Sequence, residues 1–278
     1  MNFKKGWIRD LPDFRDLTDN SDSIKAILNS SKVLQAVVNK LPVSVDLRSY
    51  CSPIEDQGNL GSCTSQAGVG LMEYFERRAF GKYINASRLF LYKTTRNLMG
   101  LEGDTGAYLR DTMKAMVLFG LPPEANWPYY ISNFDDEPTA FIYSYATNYK
   151  ATQYYRLDPV GTSPTTLLTN IKTKLAANLP SMFGFTVYSS IYNTVGGCIT
   201  YPQRGESVLG GHAILTCGFA DDKVIGSYKG ALLIRNSWGT GWGDRGYGWL
   251  PYQYVLSGLA TDFWSLVQAN FVDSTIFR

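Results

Sequence analysis

The chain has 278 residues, of which 45% are hydrophobic and 18% charged, and its formal net charge is +2. A chain of this length can bury the core of one large domain or two small ones without help from metals or disulfides. The near balance of charge provides no extended field for DNA, RNA or anionic lipid, and the apolar content excludes a disordered chain. We therefore expect a globular protein that binds neither nucleic acid nor membrane.

The cysteine and histidine counts narrow the chemistry further. A single histidine excludes a His-rich metal site, and the four cysteines lack the close pairs of a zinc site: Cys51, Cys63, Cys198 and Cys217. We therefore expect no metal. Four cysteines are also too few for a disulfide-stapled secreted scaffold, and no apolar run near the N-terminus predicts a signal peptide. Free thiols in a reducing, cytoplasmic compartment are favoured.

Residues 1–40 differ in composition from the rest of the chain. They are rich in Asp, Asn, Ser and Lys, with a few large apolar side chains among them: Trp7, Ile8, Leu11 and Phe14. In water these four side chains would form an exposed apolar cluster, so we expect the segment to dock on the main domain. Residues 22–38 are compatible with a short helix.

Three helices are predicted from apolar spacing and from residues typical of helix ends. They cover residues 63–80, 107–119 and 164–178. Ser62 is predicted to cap the first helix and Gly81 to end it, while Ser163 is predicted to cap the third.

Strands follow at 182–187, 212–219, 230–235 and 246–250, separated by Gly, Pro and Asp clusters. Helices in the first half and strands in the second predict an α+β fold with two segregated lobes.

Three residues along this pattern are candidates for chemistry. Cys63 lies at the start of the first predicted helix, where backbone N–H groups and the helix dipole stabilise a thiolate and lower the thiol pKa. His212 opens an apolar strand and is the only imidazole available to a nucleophile. Asn236 ends the next strand, where its side chain can orient one ring nitrogen of a histidine. Each residue alone also fits a structural role.

The order and spacing of the three residues are more specific than any one of them. His212 follows Cys63 by 149 positions, Asn236 follows His212 by 24, and the local strings are Gln57-Gly-Asn-Leu-Gly-Ser-Cys, Gly-His-Ala and Asn-Ser-Trp-Gly-Thr-Gly-Trp-Gly. From Leu41 to its C-terminus the chain resembles a papain-family cysteine peptidase. The short N-terminal extension is similar to that of the microbial, xylellain-like branch.

The resemblance implies a papain-like fold in which a helical lobe and an antiparallel-sheet lobe flank a cleft. It implies hydrolysis of peptides or proteins through a thioester acyl-enzyme, with no cofactor. Cys63 would be the nucleophile, His212 the proton carrier oriented by Asn236, and Gln57 an oxyanion-hole donor together with the Cys63 N–H. Residues 41–278 would form the peptidase domain of a monomer, and residues 1–40 a propeptide-like segment or lid. The alternative for residues 1–40 is an extension that completes the core without touching the cleft.

The resemblance also suggests where a substrate lies. A Gly-rich edge is expected to pair with it like a neighbouring strand, and it contains Asp104, Thr105, Gly106 and Ala107. Tyr108 and Ala213 are expected beside the second subsite, and Trp238 beside the histidine. The alternative interpretation of residues 103–107 is a surface turn. Because the chain has one histidine, it lacks the histidine-bearing occluding element of some exopeptidase members, and we expect endopeptidase action.

Three positions depart from the family pattern. Leu60 stands where secreted members have a disulfide-bonded cysteine, Thr64 where an aromatic residue follows the nucleophile, and Gly211 where Asp or Asn often precedes the histidine. None of these changes removes a catalytic group. Three other functions stay open. These are an acyl transferase or amidase that uses the same Cys–His pair, a catalytically silent peptide-binding protein, and a structural domain.

Overall fold

The computed structural model describes residues 4–30 and 40–267. Its helices are α1 (Asp22–Asn29), α2 (Cys63–Phe80), α3 (Arg88–Met99), α4 (Leu109–Leu118), α5 (Ala140–Ala146), α6 (Pro164–Ala176) and α7 (Gln253–Leu256). Its strands are β1 (Ser44–Asp46), β2 (Gln153–Arg156), β3 (Met182–Tyr188), β4 (Val208–Ile225), β5 (Tyr228–Arg235), β6 (Tyr247–Pro251) and β7 (Ala260–Val267).

The strands form one antiparallel sheet in the order β2-β7-β3-β4-β5-β6, with β1 added on β4. Helix α2 packs between this sheet and helices α3 and α4, so that the helical side and the sheet side meet along α2 and β4. In the register of β3 with β4, Phe185 lies opposite His212 and Gly184 opposite Ala213. The predicted two-lobed α+β fold is confirmed.

Two helix ends are as predicted from the sequence, and two differ from the prediction. Gly81 ends α2 in the left-handed conformation that glycine adopts at low cost, and the Ser163 hydroxyl accepts the Thr166 N–H at 3.1 Å to cap α6. Ser62 does not cap α2, because its hydroxyl bonds the Tyr129 hydroxyl at 2.6 Å instead. Helix α4 begins at Leu109 rather than at 107, since residue 107 pairs with the N-terminal segment.

One part of the N-terminal extension packs into the core, and another part lies on the surface. Ile24 and Leu28 of α1 are buried in the main hydrophobic core, whereas residues 31–38 of the helix predicted at 22–38 lie outside the described residues. Trp7 is buried as expected. Leu11 and Phe14 are 69% and 92% exposed, so docking of the segment buries only part of the apolar cluster. None of the helices described is both long enough and apolar enough to cross a membrane.

Candidate active site

Cys63 is the first residue of α2 and is fully buried where the helical side meets the sheet. Its Sγ accepts a hydrogen bond from the backbone N–H of Ala213 at 3.4 Å. Ala213 follows His212 on β4, so this contact brings together the two sequence motifs that lie 149 positions apart. The thiol therefore contacts the backbone of the residue that directly follows the only imidazole of the chain.

The His212 ring is held from two sides. Its Nε2 lies 2.8 Å from Asn236 Oδ1, and the Trp238 ring stacks on it with ring centres 4.5 Å apart. Asn236 Oδ1 also accepts the Ser237 N–H at 2.8 Å, so this oxygen is fixed as an acceptor and Nε2 carries the proton. In the neutral ring Nδ1 is then a proton acceptor, and it has no hydrogen-bond partner among the described residues.

Gln57 presents its amide nitrogen to the cleft in a fixed orientation. Its Oε1 accepts the Ser237 hydroxyl at 2.7 Å, which directs Nε2 the other way. Nε2 donates to the carbonyl of Leu60 at 2.9 Å and to the carbonyl of Lys4 at 3.0 Å. A carbonyl oxygen of the N-terminal segment therefore already lies on the donor that the sequence predicts for an oxyanion hole.

Residues 4–8, which we call the plug, run through the cleft. The Ala107 N–H donates to Gly6 O at 2.7 Å, and the Ile8 N–H donates to Ala107 O at 3.0 Å. On the opposite side the Trp7 N–H donates to Gly211 O at 3.1 Å. The Gly6 N–H also bonds the Cys63 thiol. The plug thus uses both walls of the cleft and covers the thiol.

Glycines on both sides make this close approach possible. A Cβ on Gly6 would lie 1.8 Å from Gly61 O, and one on Gly106 would lie 2.3 Å from Gly6 O. On the sheet side, a Cβ on Gly184 or Gly211 would lie 1.9 or 2.6 Å from the Trp7 indole. Gly184 was not singled out from the sequence, although a glycine inside a predicted strand is a signal of close approach.

Asp262 is a second residue that the sequence analysis missed. Its carboxylate is buried and accepts the indole N–H of Trp7 at 3.0 Å and that of Trp264 at 2.7 Å. Its backbone has a φ of +64°, which is rare for a residue other than glycine. Burial raises the pKa of Asp262 to about 7, against the opposing effect of Arg156. No local sequence signal marks this residue, because its partner is 255 positions away.

The ionisation of the Cys63–His212 pair differs from the expectation. Burial raises the pKa of the Cys63 thiol to about 11, and burial lowers the pKa of His212 to about 4 despite its bond to Asn236. With the plug in place the pair is therefore a neutral thiol and a neutral imidazole at neutral pH. The expected lowering of the thiol pKa does not appear, because the plug removes the site from water and a charged pair loses its hydration.

The predicted substrate edge makes contacts of two kinds. Gly106 and Ala107 touch the plug backbone, and Asp104 lies 2.5 Å from the Lys4 ammonium. Thr105 and Tyr108 make local hydrogen bonds: the Thr105 hydroxyl donates to Gly106 O, and Tyr108 O accepts from the first turn of α4. The edge is thus an interaction surface at residues 104, 106 and 107.

Beyond His212 the cleft continues as an open groove of about 1190 Å³. Apolar side chains form much of its lining: Ile54, Ile191, Leu209, Trp238 and Trp242. Glu55 and Asp56 add acidic groups at one side. Within the described ranges no group of three or more His, Cys, Asp or Glu side chains is arranged to hold a metal ion.

Comparisons with known proteins agree with this fold. The papain family cysteine protease profile matches residues 41–263. The structure of xylellain, a cysteine protease from Xylella fastidiosa, superposes with a TM-score of 0.78 at 31% identity, over 95% of this chain and 96% of xylellain. A peptidase C1-like protein of Acanthamoeba polyphaga mimivirus is 32% identical over 95% of this chain and 87% of its own length.

More distant relatives include cathepsin K of Gallus gallus, which is 28% identical over 75% of this chain. The chain spans 58% of the length of that relative. The fold and these matches define a cysteine peptidase. The chain belongs to the papain family of cysteine proteases, and the resemblance predicted from its motifs is confirmed.

Proposed function

We propose that this peptidase cleaves peptide bonds through Cys63, His212, Asn236 and Gln57. His212 Nδ1 takes the proton of the Cys63 thiol, and the sulfur attacks the substrate carbonyl carbon. The imidazolium then gives that proton to the leaving amine as the C–N bond breaks and a thioester remains. Water, deprotonated by His212, attacks the thioester, and the proton returns to the departing sulfur. Asn236 holds the ring, and Gln57 stabilises the oxyanion.

One observation supports this assignment most directly. A peptide carbonyl, that of Lys4, lies 3.0 Å from Gln57 Nε2 while the neighbouring Gly6 N–H bonds the Cys63 thiol. A peptide backbone can therefore occupy the oxyanion donor and the nucleophile together. The bond from His212 to Asn236 leaves Nδ1 as the ring nitrogen able to accept the thiol proton.

The shape of the cleft supports endopeptidase action. The groove lined by Trp238 and Trp242 is open to solvent and adjoins the His212 ring, on which Trp238 stacks, and Ala107 does not line it. No segment within residues 4–30 and 40–267 closes that groove. A polypeptide can therefore extend past the cleaved bond in that direction, as an internal cleavage site requires.

The position of the plug supports a latent form of the enzyme. It bonds Gln57, Ala107 and Gly211, which are the groups that a bound substrate would use, so plug and substrate exclude each other. The neutral state of the Cys63–His212 pair adds chemical latency to this steric block. The N-terminal extension then acts as a propeptide-like lid over the peptidase domain that follows it.

Substitutions in the full-length chain test the mechanism. Cys63→Ala should abolish cleavage of an unfolded protein substrate, and His212→Ala should nearly do so. Gln57→Ala should lower kcat about 10²–10³-fold, because it removes one oxyanion donor. Cys198→Ala, a substitution of another cysteine, is the matched control and should retain activity.

Product analysis by mass spectrometry separates the alternatives. Internal cleavage products are expected, whereas C-terminal dipeptides alone would contradict the endopeptidase assignment. Efficient transfer of the acyl group to an added amine, in preference to water, would instead identify an acyl transferase. Undiminished cleavage by Cys63→Ala would overturn the mechanism altogether.

A further inference from the structure

Asp104 is held rigidly at the edge of the cleft. Its Oδ1 accepts the Gly61 N–H at 3.0 Å and the Tyr92 hydroxyl at 2.5 Å, and its Oδ2 lies 3.2 Å from the same Gly61 nitrogen. The side chain is 12% exposed, so it is largely buried but still open to the cleft. Gly61 stands two residues before Cys63, which places this carboxylate close to the reacting sulfur.

Lys4 of the plug contacts two groups of the site at once. Its carbonyl oxygen lies on Gln57 Nε2 at 3.0 Å, and its ammonium lies 2.5 Å from Asp104 Oδ2. The substrate residue whose carbonyl is attacked, called P1, must place its own carbonyl on the same Gln57 donor. The plug runs in the direction opposite to a substrate, because Trp7, which pairs with Ala107, follows Lys4 in the chain. Lys4 nevertheless shows that one lysine residue spans the distance from the Gln57 donor to Asp104, so a lysine or arginine at P1 is long enough to reach this carboxylate.

The negative charge of the largely buried Asp104 carboxylate also favours a cation as its partner. Gly61 and Tyr92 are neutral donors, and across the described part of the chain the ion pair of Asp104 is with Lys4. The nearby Arg96 guanidinium is occupied by the Gly103 carbonyl and by Asp135. When the plug leaves, a largely buried carboxylate loses its counter-ion, and a basic substrate side chain restores it.

We propose that Asp104 determines specificity by selecting a basic residue, lysine or arginine, at P1. This inference rests on the proposed function, because it assumes that Gln57 receives the attacked carbonyl. It assigns the plug residue Lys4 as an internal mimic of the preferred substrate side chain. The competing account is that Asp104 only fastens Gly61 and the 103–107 loop, in which case its charge would not matter to the substrate.

The proposal is tested with the full-length protein and two fluorogenic peptides that differ only at P1. One peptide has arginine at P1, and the other has citrulline, the neutral analogue of arginine. The quantity measured is the ratio of their kcat/KM values. Plug occupancy reduces both values equally, so it cancels from the ratio. Wild type should favour arginine about 10- to 100-fold, the range that a hydrogen-bonded charge contributes.

Asp104→Asn keeps an acceptor for Gly61 and Tyr92 but removes the charge, and it should bring the ratio to about one. Asp135→Asn is the matched control, because Asp135 fastens the same loop through the Gly103 N–H at 3.0 Å and lies outside the cleft contacts. That variant should keep the wild-type ratio.

A wild-type ratio near one would overturn the proposal even if Asp104→Asn did not fold. A ratio unchanged in folded Asp104→Asn would overturn it as well. If Asp135→Asn lost the preference for arginine to the same extent as Asp104→Asn, the role of Asp104 would be only to hold the loop in place. If neither peptide shows Cys63-dependent cleavage in the full-length protein or in Trp7→Ala, in which the plug is weakened, the proposed function on which the inference rests is contradicted.

Discussion

Two parts of the N-terminal extension are attached to the same domain in different ways. The plug, residues 4–8, is held by backbone hydrogen bonds to Gln57, Ala107 and Gly211 and by glycines that permit close approach. Residues 10–28, which we call the anchor, are held outside the cleft. The carboxylates of Asp10 and Asp16 bind the Arg110 guanidinium. The side chains of Ile24 and Leu28 are buried in the core.

The difference teaches that blocking the cleft and attaching the extension are separable. In the proposed function, the groups that hold the plug backbone are those that a substrate also uses, so substrate and plug compete directly. The anchor contacts belong to the folded domain and are untouched by substrate. The plug can therefore leave the cleft while the anchor keeps it tethered, which makes its return an intramolecular step with a high effective concentration.

The largest expected effect comes from removing the side chain that fixes the plug. Trp7→Ala deletes a buried indole and its bond to Asp262, a loss of about 3–5 kcal/mol for a large aromatic residue. Because this loss acts on plug docking, kcat/KM on an arginine peptide should rise about a hundredfold or more, until the plug is fully displaced.

Trp7→Phe is a milder substitution at the same position. It keeps an aromatic ring between Gly184 and Gly211 but removes the N–H that bonds Asp262, so its effect should be smaller, about 1–2 kcal/mol. The rate of Cys63 alkylation should rise in the same order as kcat/KM. Unchanged alkylation in Trp7→Ala would show that the plug does not protect the thiol.

A single added methyl group should also open the cleft. The Cβ of Gly6→Ala would lie 1.8 Å from Gly61 O, a backbone atom that cannot move far. Overpacking of this kind costs about 1–3 kcal/mol, so kcat/KM should rise about ten- to hundredfold. Gly226→Ala, where no atom lies within 4 Å of the new Cβ, is the control and should leave kcat/KM unchanged. A matching rise in both variants would argue against a steric mechanism.

The smallest effect on activity is expected from weakening the anchor. Arg110→Met removes hydrogen bonds to Asp16 at 2.7 and 2.9 Å and should lower the free energy of unfolding by about 2–3 kcal/mol, measured by urea denaturation. Its kcat/KM should change only a few-fold, because the plug contacts remain.

Arg15→Met is the control for the anchor. The Arg15–Asp13 pair is exposed to solvent, so its loss should leave the free energy of unfolding almost unchanged. If Arg110→Met activated the enzyme as strongly as Trp7→Ala, the separation between plug and anchor would be wrong.

The parts of the structure that could be predicted are those marked by local patterns. Helix α2 spans the predicted residues 63–80, and the motifs around Cys63, His212 and Asn236 gave the family. Helix α3 was missed because its charged residues Arg88 and Arg96 are buried and hide the apolar period. Their burial depends on acidic partners elsewhere in the chain, which no local pattern shows.

The plug illustrates the same limit. The apolar residues of the whole N-terminal extension predicted docking, but Trp7 of the plug is buried, whereas Leu11 and Phe14 of the anchor stay exposed. The docking place depends on the absence of side chains at Gly184 and Gly211 and on the buried carboxylate of Asp262, all far away in sequence. Such complementarity is a property of the folded surface, so composition alone could not reveal it.

The raised pKa of Cys63 has a consequence for the chemical durability of the protein. Peroxides attack the thiolate and not the thiol, and they convert it through sulfenic acid to forms that cannot be reversed. Because burial raises the pKa of Cys63, the side chain is almost entirely in the thiol form at neutral pH while the plug is docked. The closed molecule therefore stores its nucleophile in the reduced state, and exposure to oxidants begins only when the cleft opens.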